Sequence, residues 1–428
     1  MITAVRQRCA GIDVHRDFVM VCLMWGPTEG EAHWEIRRFD TTVPGLEELH
    51  AWLSAEQCQD VVLESTGPYW EPVVNVIGEG RQICLANPQE VKNRRGHKTD
   101  KKDAWWLAHL HRHNMIRPSY LPAAPVRQLR LLTRRRRELI RNAAQEKNRV
   151  QKLLEQSNIK LRCVLSDVFG VSGAAMLEAI VIEGKTDPAE IASLARGTLR
   201  QKKEAIAGSL TGFQMPETHR FLVRQAMEHL ATLVEHIEEL DRQIQSHLVA
   251  HGMQQAAELV QSIPGIQSTS AAEVVAEVGP DVKAFPTPGN LSSWAGVCPG
   301  NKESAGKRGS SRTTKGNPYF RATLNQSAWA GSRTKQSEFQ KCYEKLSPRL
   351  DHKGAIVAVA HALVYAIYSV LHYQRPYRPV PTPAGPDQPR TQRLIRHHTR
   401  RLKQLEAWLP KAPPADWTTT LARLAQTE

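Results

Sequence analysis

A chain of 428 residues with a formal net charge of +14 and an isoelectric point near 9.6 has room for two or three domains with separate cores. Its clustered excess of base favours a polyanionic partner, most simply DNA or RNA, over an acidic membrane surface. The N-terminal MITAVRQRCAGIDV lacks a signal-peptide core and no run reaches about 18 apolar residues, so a cytoplasmic protein without a membrane partner is expected.

Residues 9–24, CAGIDVHRDFVMVCLM, predict an apolar strand, a polar break at His15-Arg16-Asp17 and a second strand. Asp13 closes the first strand two residues after Gly11, and a carboxylate in a buried strand needs a partner or a task. HWEIRRF (33–39) reads as a third strand and 45–56 as a helix. DVVLEST (60–66) is a short Val-rich strand ending in Glu64, followed by Gly67-Pro68 and a helix over 69–79. RQICLAN (81–87) is another strand, and Pro88 opens a helix in the favoured first-turn position. Strands alternating with helices after a hairpin indicate an α/β layer fold. Such sheets carry their chemistry at the C-terminal strand ends, where Asp13 and Glu64 fall.

The stretch NRRGHKTDKKDAWWLAHL follows. Asp100 and Asp103 stand three apart at the start of an apolar-periodic run (Trp106, Leu107, Leu110), so they share one helix face. Arg94, Arg95, Lys98, Lys101 and Lys102 crowd around them. Acid that gathers a hard cation, ringed by base that gathers phosphate, suits a metal-dependent enzyme acting on nucleic acid. A solvated, charged helix start carries the same residue types. Asp13 taken singly is a turn residue, and Glu64 a cap or an ion-pair partner; the four acids together are harder to dismiss.

GIDVHRD, VVLESTGPYW and NPQEVKNRRGHKTDKKDAWWLAHL together resemble the DEDD motifs of the insertion-sequence transposases of the one-ten and eleven-eleven type, a family that includes pilin-gene invertases. The resemblance spans about residues 5–115, and about 255–345 as well. It implies a RuvC-like, RNase H-type α/β N-terminal domain with Asp13, Glu64, Asp100 and Asp103 as a catalytic, metal-binding tetrad for Mg²⁺ or Mn²⁺.

From Val126 to Gln156 the chain turns helical and strongly basic, with Leu129, Leu132, Leu139, Ile140, Val150 and Leu154 as its apolar stripe. Arg134, Arg135, Arg136 and Arg137 cover all sides of a turn, and phosphate contact is the expected use. Short helices are expected over 165–212. A longer helix runs from Thr218 to about Val249, where Leu230, Leu233, Ile237, Leu240 and Ile244 recur at steps of three and four. That spacing marks a coiled-coil seam. A stalk joining two protomers is the favoured expectation, and a hairpin packed back on the 126–156 helix the other.

ELVQSIPGIQSTSAAEVVAEVG (258–279) has the pattern of a helix-hairpin-helix, whose backbone N–H groups can hold a DNA phosphate; an ordinary corner between helices fits the same residues. In NLSSWAGVCPGNKESAGKRGSSRTTKGNPYFRATL (290–324) the middle, Gly300 to Gly316, has no apolar periodicity and is expected as a loop whose backbone approaches something closely. This segment resembles the C-terminal transposase domain of the same family. By that resemblance Ser304, in ESAGKR, falls at the nucleophilic serine, and Arg308, Arg312 and Lys315 among the basic nucleic-acid-binding positions. Ser304-Ala305-Gly306 stands where some relatives carry Ser-Gly directly, which leaves Ser310 and Ser311 as alternatives. An apolar helix over 353–372, interrupted by His and Tyr, a Pro-rich linker at 376–389 and a basic tail at 390–409 complete the chain. Seven scattered cysteines without a C-x-x-C pair read as reduced, mostly buried thiols.

The expected division is a catalytic domain over 1–120, a basic helical and coiled-coil domain over 121–252, a serine-bearing, mainly α domain over 253–375, and the linker and tail over 376–428. The expected function is a transposase that cuts and rejoins DNA with its acidic tetrad and serine. The resemblance also implies donor and target DNA, a guiding bridge RNA, and a homo-oligomer, a dimer or a tetramer on DNA. The rivals are a metal-dependent junction nuclease that uses water and a non-catalytic nucleic-acid-binding scaffold.

Overall fold

In the computed structural model, which describes residues 3–64, 67–91, 99–300, 303–304, 307–308, 312–379 and 399, the chain opens with three strands that pair in sequence. β1 (Arg8–Val14), β2 (Phe18–Trp25) and β3 (His33–Asp40) are antiparallel neighbours. β4 (Asp60–Glu64) then lies parallel to β1, β5 (Gln82–Ala86) parallel to β4, and the short β6 (Pro118–Ser119) antiparallel to β5. The order β3-β2-β1-β4-β5-β6 is a mixed sheet compatible with an RNase H-like domain.

Alternation along the strands sends their side chains to two faces. Ala10, Ile12, Val61 and Leu63 pack under α1 (Val43–Ala55) and α2 (Trp70–Ile77). Cys9, Cys22 and Met24, with Val62 and Cys84, pack on the other face under α4 (Asp100–Arg112), which follows the single turn α3 (Pro88–Val91). Thr99 caps α4 by accepting from the Lys102 N–H. A glycine decides how closely α4 sits. A β-carbon on Gly11 would lie 2.3 Å from the Ala108 nitrogen and 2.5 Å from the Ala104 oxygen. At the other end of α4, the buried Arg112 donates to the carbonyls of Gln7 (3.0 Å), Gly26 (3.1 Å) and Pro27 (2.5 Å), which gives three of its N–H groups acceptors.

α5 (Ala124–Gln156) and α9 (Glu217–Ala250) form an antiparallel hairpin. Arg136 grips Asp241 with two hydrogen bonds (2.5 and 3.0 Å), His229 meets Glu146 at 3.3 Å, and His247 meets the Pro125 carbonyl at 2.8 Å. In α9 Leu230, Leu233 and Ile244 are buried and Ile237 and Leu240 half-buried. Within the chain the seam packs back on α5, the second of the two arrangements expected for it.

α6 (Val171–Val181), α7 (Pro188–Ser193) and α8 (Lys203–Ser209) cover the far end of this hairpin around Val150, Leu154, Ile180, Ile206 and Val223. Its near end belongs to another core. Val126, Leu129, Ile244 and Leu248 pack with α10 (Gln254–Gln261), α11 (Ser268–Val278), α12 (Pro288–Ala295), α13 (Pro318–Arg333) and α15 (His352–Tyr373), which α14 (Glu338–Leu346) flanks through Cys342 and Tyr343. The region 121–252 is thus divided between two cores. α15 is apolar and long enough to cross a membrane, yet Ile356, Val359, Leu363, Val364 and Ile367 are buried in this core. Met1–Tyr377 make up one compact unit and Arg378–Glu428 a second.

The Ile263-Pro264-Gly265-Ile266 turn joins α10 to α11, as the helix-hairpin-helix pattern predicts. Its glycine face is occupied: with φ at +92°, a β-carbon on Gly265 would lie 2.4 Å from the Gly331 nitrogen of α13. Ile263 and Ile266 are core residues. The seven cysteines are free, with Cys9, Cys22, Cys58 and Cys84 buried, and burial pushes the first three thiols up to about 12.

Gly11→Val should be costly at this interface. Over-packing costs about 1–3 kcal/mol, occasionally more, and here the clash is with backbone. Urea unfolding should show the loss, whereas a value at Ala10→Gly levels or below would mean that α4 yields easily.

Candidate active site

The last printed pair between β1 and β4 is Ile12 with Leu63, so Asp13 and Glu64 follow it side by side on parallel strands. Asp13 shares its face with Cys9 and Gly11, and Glu64 with Val62; both faces are the one that α4 covers. Asp100 and Asp103 lie in the first turn of α4. Because Gly11 lets the helix down onto β1, this turn stands beside the strand ends.

A histidine joins them. His15 Nε2 lies 3.0 Å from Asp13 Oδ2 and 3.6 Å from Asp100 Oδ1. The ligand-type atoms of Asp13, His15 and Asp100 all fall within 4.8 Å of one another. The His15 ring stacks on Phe18, with centroids 4.5 Å apart, and this fixes its plane. Sequence reading passed His15 over as part of a polar break. Its signal was spacing: residues i and i+2 across a strand end share a face.

The Asp13 carboxyl is held above its ordinary range. Burial is the largest cause, His15 opposes it through charge and hydrogen bonding, and Asp103 and Asp100 add like-charge repulsion. Asp103 is therefore felt at Asp13 although it is not one of the tight three. Crowded carboxylates beside an imidazole are a donor set for a divalent cation, whose charge relieves their repulsion. Lys101 and Lys102 are exposed next to them; Arg94, Arg95 and Lys98 lie outside the described residues.

The segment expected as a loop is a short antiparallel ladder. β7 (Glu303–Ser304) pairs with β8 (Lys307–Arg308), Ser304 opposite Lys307. Below it Pro299 bridges Thr313, and the Gly300 N–H donates to the Arg312 carbonyl at 2.9 Å. Sequence reading missed it because pairing here is made by backbone, with no apolar alternation to announce it. The ladder's neck is two glycines in backbone contact: a β-carbon on Gly316 would lie 2.3 Å from the Gly296 nitrogen. Arg312 and Lys315 are exposed on the outgoing side. Ser310 and Ser311 lie outside the described residues.

Residues 10–159 match the family model of the DEDD-type IS110 transposase, and residues 257–344 the model described as Transposase IS116/IS110/IS902 family. The chain belongs to the IS110/IS116 family of transposases. It is 27% identical over 302 residues to the insertion element IS116 uncharacterized 44.8 kDa protein of Streptomyces clavuligerus, covering 66% of this chain and 73% of that protein. It is 28% identical over 162 residues to a probable family 20 transposase of Pseudomonas aeruginosa, covering 37% of this chain and 47% of that one. A DEDD-type enzyme is expected to use a divalent metal, and the acidic cluster is a candidate place for it.

The arginine run of this transposase is turned largely inward. Arg134 forks onto Glu277, Arg136 onto Asp241, and Arg137 reaches Glu273 (2.5 Å) and the Tyr319 carbonyl (2.8 Å). Arg135 is exposed and pairs with Glu138 on its own helix. The phosphate-binding surface expected of all four residues thus meets acidic protein surface at three of them. Arginine's fixed fork suits a carboxylate as well as a phosphate, and sequence cannot tell which will face it.

His15→Phe keeps the stack on Phe18 and removes Nε2. It should weaken Mn²⁺ binding by about 10–100-fold, read by titration calorimetry; an unchanged affinity would remove His15 from the centre. Asp13 also sets a pH dependence. Its raised folded value means that, without cation, its stability contribution is present at low pH and lost as pH rises through that value. Thermal unfolding in chelator should show this loss, Asp13→Asn should abolish it, and added Mn²⁺ should bind more tightly as the carboxyl ionises.

Proposed function

We propose that this transposase cuts and rejoins donor and target DNA at a composite site built from the acidic cluster and Ser304. The observation that carries the reading is the meeting of Asp13, His15 and Asp100 at the strand ends. Asp13, Glu64, Asp100 and Asp103 would hold Mg²⁺, or Mn²⁺ in its place, with His15 orienting Asp13. When bound, the cation neutralises phosphate charge and eases attack at phosphorus. Ser304 Oγ attacks the scissile phosphorus and the departing DNA oxygen leaves as a hydroxyl. The product is a phosphoserine ester that keeps a reactive bond for rejoining. A serine hydroxyl is a poor nucleophile alone, so its proton must pass to a nearby carboxylate or water. Lys101, Lys102, Arg308, Arg312 and Lys315 would steady phosphates around the reaction.

Asp13 and Glu64 end strands of the sheet, Asp100 and Asp103 open α4 on that sheet, and Ser304 belongs to a ladder between α12 and α13. This separation favours a site completed by DNA, and by a second protomer as the family resemblance implies. A guiding bridge RNA is part of the same reading, supported by the net charge of +14.

Covalent capture decides between this reading and a junction nuclease. A suicide DNA substrate with Mg²⁺ should give a denaturant-resistant adduct that maps to Ser304 and disappears in Ser304→Ala. Asp100→Asn and Asp103→Asn should lose cleavage while still binding DNA. Cutting by Ser304→Ala at the wild-type rate, with no adduct in either protein, would hand the case to water as nucleophile.

A further inference from the structure

We propose that Glu277 is a positioning residue that holds the neck of the Ser304 ladder through Asn317 and ties it to α5. The proposal rests on the reading of Ser304 as nucleophile. Glu277, near the end of α11, is only 2% exposed. A carboxylate so buried must have its charge matched and its oxygens filled.

Three side chains do this. Arg134 donates from Nε to Oε1 (2.8 Å) and from Nη2 to Oε2 (2.9 Å). Arg130 places Nε 3.4 Å from Oε2 and also donates to the carbonyls of Ala276 (2.8 Å) and Glu277 (2.5 Å). Asn317 Nδ2 donates to Oε2 at 2.7 Å.

Asn317 stands just beyond the ladder's glycine neck. It follows Gly316, and its backbone N–H donates to the Trp294 carbonyl of α12 at 3.0 Å. Its Oδ1 caps α13 by accepting from the N–H groups of Tyr319 (3.0 Å) and Phe320 (3.1 Å). One amide therefore starts α13 with its oxygen and hangs the ladder from Glu277 with its nitrogen.

The other side of the link leads to the sheet. On α5, one turn before Arg130 and two before Arg134, Arg127 donates to Asn75 Oδ1 of α2 at 2.5 Å and lies over the Trp70 ring. Tyr120, between β6 and α5, donates to the Val278 carbonyl beside Glu277 at 2.7 Å. The element that leaves the acidic module thus ends, through Glu277, on the neck of the serine ladder. Packing alone does not call for this, since apolar residues fill such a space without burying charge; directional bonds specify one orientation.

Asn317→Ser tests the link. Serine still caps α13 but has no amide to donate to Glu277. In the full chain with Mg²⁺ and DNA substrate, cleavage and adduct formation should slow by about tenfold or more, since small misplacements cost up to about 100-fold. DNA affinity should hold, and amide exchange at Gly300 and Thr314 should quicken. The exchanged pair Glu277→Gln with Asn317→Asp keeps a donor, an acceptor and one carboxylate, and should recover part of the rate that Glu277→Gln alone loses. Unchanged exchange in Asn317→Ser, or quickened exchange with a full cleavage rate, would overturn the proposal. Ser304→Ala run alongside separates the two readings: if it still cuts, the serine assignment fails, while the exchange data still report whether Asn317 holds the ladder.

Discussion

A helix can rest on a strand at backbone distance only where the strand has no side chain, and β1 provides that place at Gly11. The space that a β-carbon would need there is filled by the backbone of Ala104 and Ala108. Asp100 sits one turn before Ala104, and its carboxylate is 3.6 Å from His15. Any residue larger than glycine must lift α4, and a lift of one ångström at Gly11 moves Asp100 by a comparable amount. Arg112 pins the opposite end to three carbonyls, so the helix has little freedom to tilt instead. Fold and site share this one contact.

The same economy of position appears in the helical part. α5 is basic enough to suggest a helix lying on DNA, yet its arginines bind acids on α9 and α11. Glu273 and Glu277, four residues apart on α11, face Arg130, Arg134 and Arg137 across the helix interface. Burying such pairs contributes little net stability but penalises misaligned packing heavily. Exposed positive charge stands on Arg135 of the same helix and, away from it, on residues such as Lys101, Lys102, Arg312 and Lys315.

Burial at the acidic centre has its own logic. Burial holds the Asp13 carboxyl above its ordinary range, His15 opposes the shift, and Asp103 and Asp100 add like-charge repulsion. A divalent cation removes the repulsion and binds best where protein oxygens are already gathered. The cluster is therefore a candidate place for the divalent metal that a DEDD-type enzyme is expected to use.

The α/β start, the strand ends at Asp13 and Glu64, the shared face of Asp100 and Asp103, and the long helices are legible in the order of residues. These follow from periodicity, which is local: alternation decides a strand, and a spacing of three or four decides a helix face. Packing in three dimensions is what brings His15 to the acids, the α9 seam onto α5, the 263–266 turn onto α13, and three arginines to carboxylates. Each of these depends on which surface lies opposite. A leucine stripe reads the same against its own chain or a partner, and a guanidinium bonds a carboxylate or a phosphate with equal geometry. Sequence supplies the bonding capacity of a side chain; the partner is supplied by residues distant in the chain, for these three arginines more than a hundred positions away.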